Sequence, residues 1–342
     1  MKILYISCLI TEKERYDGER IKNTLIFDSL RKISELDVID LSNYKLFNTF
    51  KIFWYGLFKK KKYDYVIISK DPHGANIIQR ILNITKVNVS KIIYFEIGPF
   101  LYDRINNGSI KKETFINNKL IVVETNSMKK ELEPLGFERI DVFPNFKPVY
   151  DIPFNEQIYP KDILRLVYLS RIEDKKGIYD LIDCLKELNK DKTRFILDVY
   201  GRPQEKADEE KINQLDKELD FVNYKGKINL DNEEAYKELS NYDLHVFPTK
   251  YAEGFPGTII DFFISGVPTL ASSFVRANDI LTNKESIIYK QFDSKDLKDK
   301  LEYIYNNQSI LIDLRKNSYS RRNEFSTQAF DKYLKNLLRS NN

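Results

Sequence analysis

The feature that most constrains this chain is an alternation that occurs twice. Apolar runs of strand length fall at 2–8, 36–41, 64–69, 91–96, 119–124 and 139–143, with segments of helical character between them. A polar, proline-bearing stretch follows at 144–161, and the pattern resumes at 163–170, 193–200, 220–226, 243–247, 267–272 and 286–290. Strand and helix in strict alternation predict an α/β fold with a parallel, doubly wound sheet. Two such series predict two similar domains with a cleft between them. Ligands of such sheets bind outside the carboxyl ends of the strands, so the residues just after each strand carry the chemistry. Between strands, 177–189 and 207–218 have helical periodicity, as does 309–338 with a break near Phe325. The expected division is 1–150, 151–325, and a C-terminal helix, 326–342, that packs back on the first domain.

The composition narrows the function. At 342 residues with 42% apolar content, each half can bury its own core. Lys and Arg total 55 against 51 Asp and Glu, a balance that speaks against a nucleic-acid partner. Cys8 lies in an apolar strand and Cys184 on a helical face. Both read as core thiols, which excludes a disulfide framework or a cysteine-rich metal site. The opening Met-Lys-Ile-Leu-Tyr-Ile-Ser-Cys is too short an apolar run for a signal peptide, and nothing later approaches ~18 uncharged apolar residues. A cytoplasmic protein is expected.

The richest segment chemically is Glu253-Gly-Phe-Pro-Gly-Thr-Ile-Ile-Asp261. It sets a carboxylate in a Gly/Pro turn, opens an apolar helix, and places a second carboxylate inside that helix; Gly266 and Pro268 close it. The unpaired N–H groups of a first helical turn suit an anion. A nucleotide diphosphate sugar offers hydroxyls for the carboxylates and phosphates for the helix end.

Other residues fall in a telling order: Pro144-Asn145-Phe146, Tyr168-Leu-Ser-Arg171 with Lys175-Lys176-Gly177, Val199-Tyr-Gly201, Gly226, then Pro248-Thr249 leading to Glu253. In this the chain resembles the retaining GT-B glycosyltransferases of the large family 4 type, most strongly in its second half. The resemblance implies two Rossmann-like domains, a donor held mostly by the second and an acceptor by the first. It implies transfer with retention of anomeric configuration, in bacterial surface-glycan assembly. Glu253 would contact the donor sugar and reacting centre. Asp261, where the family commonly has Glu, would bond the ribose, and Gly254, Phe255, Pro256, Gly257 and Thr258 would line the phosphates or sugar. Gly201 and Asn145 join the donor-side candidates. A UDP-sugar is the favoured donor, a co-substrate with no other cofactor; base recognition would rest on backbone near 225–230.

Arg171 ends a strand and Lys176 opens the next helix, so both cations are expected to converge on the departing diphosphate and to substitute for a metal. Taken alone they also read as a solvated charge pair. No Asp-any-Asp motif occurs and His73 and His245 lie far apart, so no metal centre is expected.

The first half is less legible. No Gly-x-Gly-x-x-Gly fingerprint follows the first strand, which argues against a dinucleotide there. The loop holds only Gly18, a donor-phosphate candidate by resemblance, followed by Glu19 and Arg20. Glu96, His73 and Asp71 follow strands and are acceptor-side candidates; Asp71 as a helix cap beside a buried His73 is the competing reading. From Tyr44 to Lys62 runs an aromatic segment ending in four lysines. It suits an acidic membrane surface and a lipid-linked saccharide acceptor, or a helix packed into the core with a solvated end. Two rival functions remain: a nucleotide-sugar epimerase on the same fold, separable by product analysis without acceptor, and a non-catalytic partner that binds nucleotide sugar or glycan.

Overall fold

The computed structural model describes residues 1–11, 17–42 and 45–339, with Lys45 and Leu46 as backbone only. Tyr44, the start of the aromatic and basic segment, lies outside the described residues. By its contacts the chain divides into two compact units: Met1–Lys147 together with the helix Thr327–Arg339, and Pro148–Ser326.

The first unit is built on β1 (Lys2–Ser7), β2 (Glu35–Asp40), β3 (Tyr65–Lys70), β4 (Ile92–Glu96), β5 (Leu120–Val123) and β6 (Ile140–Val142). The six strands form one parallel sheet in the order β2-β1-β3-β4-β5-β6. Successive side chains of a strand point to opposite faces, so a strand covered on both sides must be apolar throughout. In β1 and β3, Leu4, Ile6, Val66 and Ile68 enter one core with Ile78 and Leu82, and Ile3, Tyr5, Tyr65 and Ile67 enter the other with Ile26 and Leu30. That second core also receives Phe330, Leu334 and Leu338 of the C-terminal helix, where Phe330 stacks on Phe146 at 4.0 Å.

The second unit repeats the plan with β7 (Leu164–Leu169), β8 (Phe195–Tyr200), β9 (Val222–Gly226), β10 (Leu244–Phe247), β11 (Thr269–Ser272) and β12 (Ser286–Tyr289). The sheet is again parallel, in the order β12-β11-β10-β7-β8-β9. All twelve apolar runs are strands, and the expected α/β class with two doubly wound sheets is the observed one. Cys8 and Cys184 are buried thiols. No helix among the described residues is long and apolar enough to cross a membrane.

Candidate active site

In the second unit the chain runs from β7 outward to β9, then returns to the other side of β7 with β10. The loops after β7 and β10 therefore leave neighbouring strand ends in opposite directions, and a crevice opens between them at the carboxyl edge. The loop after β7 carries Arg171, Lys176 and Gly177; that after β10 carries Thr249, Tyr251 and Glu253.

Three of these residues meet. Lys176 Nζ and Thr249 Oγ1 both donate to Glu253 Oε1, at 2.5 and 2.8 Å. The ion pair is largely shielded, with the Lys176 and Glu253 side chains 8% and 13% exposed. Two donors on one oxygen hold the Glu253 carboxylate in place. Thr249 is itself immobilised: its carbonyl accepts from Ser272 Oγ at 2.6 Å and Gln291 Nε2 at 3.0 Å, and its hydroxyl accepts from Tyr251 N–H at 3.2 Å. The Tyr251 ring lies 5.1 Å from the Lys176 ammonium. Gly177 allows the two loops to touch. Its φ is 73°, and a Cβ there would lie 1.9 Å from the Pro248 carbonyl oxygen.

The helix Gly257–Ser265 follows, with Pro256 at its N-cap and Gly266 ending it. Among the described residues no side chain caps its first turn, so Gly257, Thr258 and their neighbours present backbone donors to an anion. Thr258 Oγ1 is buried and has no hydrogen-bond partner among the described residues. Gly254 sits in the preceding turn, while Phe255 is buried against Phe325, ring centroids 5.2 Å apart, and anchors the turn. Asp261 is 1% exposed and its Oδ1 accepts from Tyr236 Oη at 2.8 Å. Burial and the Asp261 charge push the Tyr236 phenol well above its usual range, so it stays a donor.

Arg171 takes other partners than Lys176 does. Its side chain is 56% exposed, pairs with Glu173 at 3.3 Å and touches Gln204 at 3.4 Å, because a bridge between Ile172 and Pro203 ties its loop to the one after β8. Gly201 occupies that crossing, where a Cβ would meet the Ser170 carbonyl oxygen at 1.8 Å, so its place in the fold is a close backbone approach. One reading is corrected: His73 is exposed in the first turn of the helix Pro72–Ile84 rather than buried.

The remaining candidates lie in the first unit. Asp71 caps the helix Pro72–Ile84, accepting from the His73 and Gly74 amides, both at 3.1 Å. Glu96, 2% exposed at the end of β4, accepts from the Leu101 amide at 2.8 Å and so fixes the short helix Leu101–Asn106. Gly18 opens the helix Gly18–Arg31, just beyond residues 12–16, which lie outside the described residues. Next to it Glu19 pairs with Lys70 at 2.6 Å, linking the loop after β1 to the end of β3. Asn145 Oδ1 accepts from the Phe146 amide at 2.9 Å, a local turn. Tyr251 was not singled out from the sequence, and Thr249 entered only as part of the Pro248-Thr249 approach to the loop carboxylate, four residues before it.

Two parallel sheets of this topology in one chain define the GT-B class of architecture, and solved structures share it over almost the whole length. HepE of Anabaena in complex with UDP superposes with a TM-score of 0.75 at 13% identity, covering 99% of this chain and 100% of that one. The lipopolysaccharide outer core galactosyltransferase WaaB gives 0.70 at 15% identity with both chains covered in full, 100%. The sucrose-phosphate synthase of Thermosynechococcus elongatus gives 0.72 at 15%, covering 99% and 98%. Residues 151–321 match the family Glycosyl transferases group 1; the chain belongs to this family and is a glycosyltransferase. No curated protein sequence matches it.

Proposed function

We propose that the chain transfers a hexose-type sugar from a nucleoside diphosphate donor, with a UDP-sugar favoured, to a saccharide or lipid-linked saccharide acceptor, with retention of configuration and without a divalent metal. The cellular setting in this reading is bacterial surface-glycan assembly at the cytoplasmic face of a membrane. The observation that carries the reading is the joining of Lys176, Glu253 and Thr249 beside an uncapped helix N-terminus at the switch point of the second sheet. HepE, of the same fold, is known in complex with UDP and with UDP-glucose, which supports the donor class.

In this mechanism the diphosphate lies against the N-terminus of Gly257–Ser265 and the Lys176 ammonium, and the Glu253 carboxylate takes the sugar hydroxyls. The acceptor hydroxyl attacks the anomeric carbon on the face the diphosphate is leaving. A carbon–oxygen bond forms to the acceptor as the bond to phosphate breaks, and the acceptor proton passes to the departing phosphate oxygen. Lys176 neutralises the charge that develops there. Arg171 joins it only by exchanging Glu173 for phosphate. Asp261, held by Tyr236, would reach the ribose from inside the helix, its shorter side chain set by that hydrogen bond.

Thermal unfolding with a panel of nucleoside diphosphates and nucleotide sugars, chelator present, tests the reading. At ~100 times its dissociation constant a ligand adds about 2.7 kcal/mol. One diphosphate should raise the melting temperature selectively; no response from any would sink the donor site. Thr249→Val, which keeps shape and removes the hydroxyl, should lower kcat about tenfold, the worth of one charge-assisted hydrogen bond of ~1.5 kcal/mol, and Thr249→Ser should restore it. Equal rates for parent and Val variant would show that Lys176 alone orients Glu253.

A further inference from the structure

The helix Lys45–Phe58 is built inside out. Its buried side is narrow: Asn48, Ile52 and Gly56, four residues apart, face the first unit. Gly56 lies so close to the end of the helix Pro72–Ile84 that a Cβ would stand 2.0 Å from Thr85 Oγ1. The opposite side carries Phe47 (58% exposed), Phe50 (64%), Phe53 (39%), Trp54 (38%), Leu57 (42%) and Phe58 (71%). At helical spacing these six share one arc. A surface helix normally turns such an arc to the core, and a contiguous exposed apolar face of this kind marks an interaction site. Lys60 Nζ donates to the Thr85 carbonyl at 2.7 Å, tying the end of this helix to the next one.

Charge identifies the occupant. The helix holds no acidic residue, and the Lys60–Lys62 turn follows directly. Lys51 and Lys59 lie over the rings of Phe47 and Trp54, at 4.7 and 4.6 Å, so cationic heads rim the aromatic face. Rings at the acyl boundary with ammonium groups at the phosphates is the arrangement an interfacial helix takes in an anionic bilayer. A second copy of this chain docked face to face would set lysine against lysine.

We propose that this face of the first unit binds an anionic phospholipid surface, with the helix lying in the membrane plane. The assignment deepens the membrane-side setting of the proposed function and rests on that reading for its purpose, while the lipid binding itself stands on this helix. Trp54 is the only tryptophan of the chain, so intrinsic emission reports on the face directly. On adding vesicles of phosphatidylcholine mixed with phosphatidylglycerol, the emission should shift to the blue and the protein should sediment with them, with both effects reversed by high salt. Vesicles of phosphatidylcholine alone should do neither. Lys51→Glu/Lys61→Glu should weaken binding at least ~25-fold, taking about 1 kcal/mol for each lysine removed. Phe50→Ser/Phe58→Ser should abolish the shift while keeping the parent's melting temperature and its rate on a water-soluble acceptor. No shift and no sedimentation would overturn the proposal. So would equal binding to both kinds of vesicle, or a lipid-free blue shift that grows with protein concentration together with dimer formation. Loss of transfer to a soluble acceptor would strike the transferase reading alone and leave the lipid result standing.

Discussion

Glu253→Gln is expected to lower kcat by about 10²–10³-fold, the range seen when one group that stabilises a charge-separated transition state is removed. The substitution keeps length and shape, and its amide oxygen can still accept from Thr249; what disappears is the negative charge facing a sugar that gains oxocarbenium character as the bond to phosphate breaks. The same change has a structural consequence. Lys176 is 7% exposed, and without Glu253 its ammonium stays in the crevice with no charge opposite at 2.5 Å. Removing one partner of a shielded pair costs more than removing both, because the penalty comes from the charge left behind. Glu253→Gln and Lys176→Met should therefore each destabilise the protein by about 1–3 kcal/mol, less than for a fully buried pair. The double variant should regain most of that stability and none of the activity. A coupling of roughly 1–3 kcal/mol in the unfolding cycle, with kcat low in all three variants, separates the packing role of the pair from its chemical one. Additive stability changes would mean the pair is solvated and the contact incidental. Arg171→Ala, by contrast, removes an exposed side chain and should disturb neither stability nor the Glu253 geometry.

The sheets were legible because burial on both faces of the central strands favours apolar residues there. Leu4 and Ile6 serve one core and Ile3 and Tyr5 the other, so the run from Lys2 onward shows no polar interruption until the strand ends. The loop carboxylate was legible for the opposite reason: a charged residue between a strand and a Gly/Pro turn has few structural duties. What spacing could not show is which partner each charge takes. Arg171 and Lys176 are five residues apart on one loop, yet the Ile172–Pro203 bridge turns the first toward Glu173 while the Asp174–Lys176 turn sends the second to Glu253, 77 positions away. Asp261 read as a costly polar intruder on an apolar helix; the compensating group, Tyr236, comes from another helix 25 residues back. The Phe50 to Phe58 face misleads in a different way. Its periodicity is that of a core helix, and only the exposure of those rings reveals that the polar and apolar sides have changed places.

Gly177→Ala should be among the most damaging single-methyl changes in the second unit, and Gly226→Ala supplies its control. Both glycines have left-handed backbones, φ 73° and 71°, so both substitutions incur the strain of an L-residue in that region, roughly 1–2 kcal/mol. They differ in what the new methyl meets. At Gly226 nothing lies within 4 Å, whereas at Gly177 the methyl carbon would be 1.9 Å from the Pro248 carbonyl oxygen. Backbone atoms of a strand end cannot swing aside as a side chain can, so the loop after β7 must retreat from β10, which raises the total to roughly 2–5 kcal/mol. For a unit of this size each kcal/mol is worth about 2–4 °C in melting temperature, so the two variants should separate clearly. The retreat also acts on function. Gly177 N–H closes the turn onto the Asp174 carbonyl at 2.9 Å, and Lys176 is carried on that turn. Moving it draws Nζ away from Glu253, so Gly177→Ala should lose transfer even below its melting temperature, as Lys176→Met does. Equal melting temperatures for the two glycine variants would mean the loops part at no cost, and the close approach of β7 and β10 ends would no longer explain how the crevice holds its ion pair.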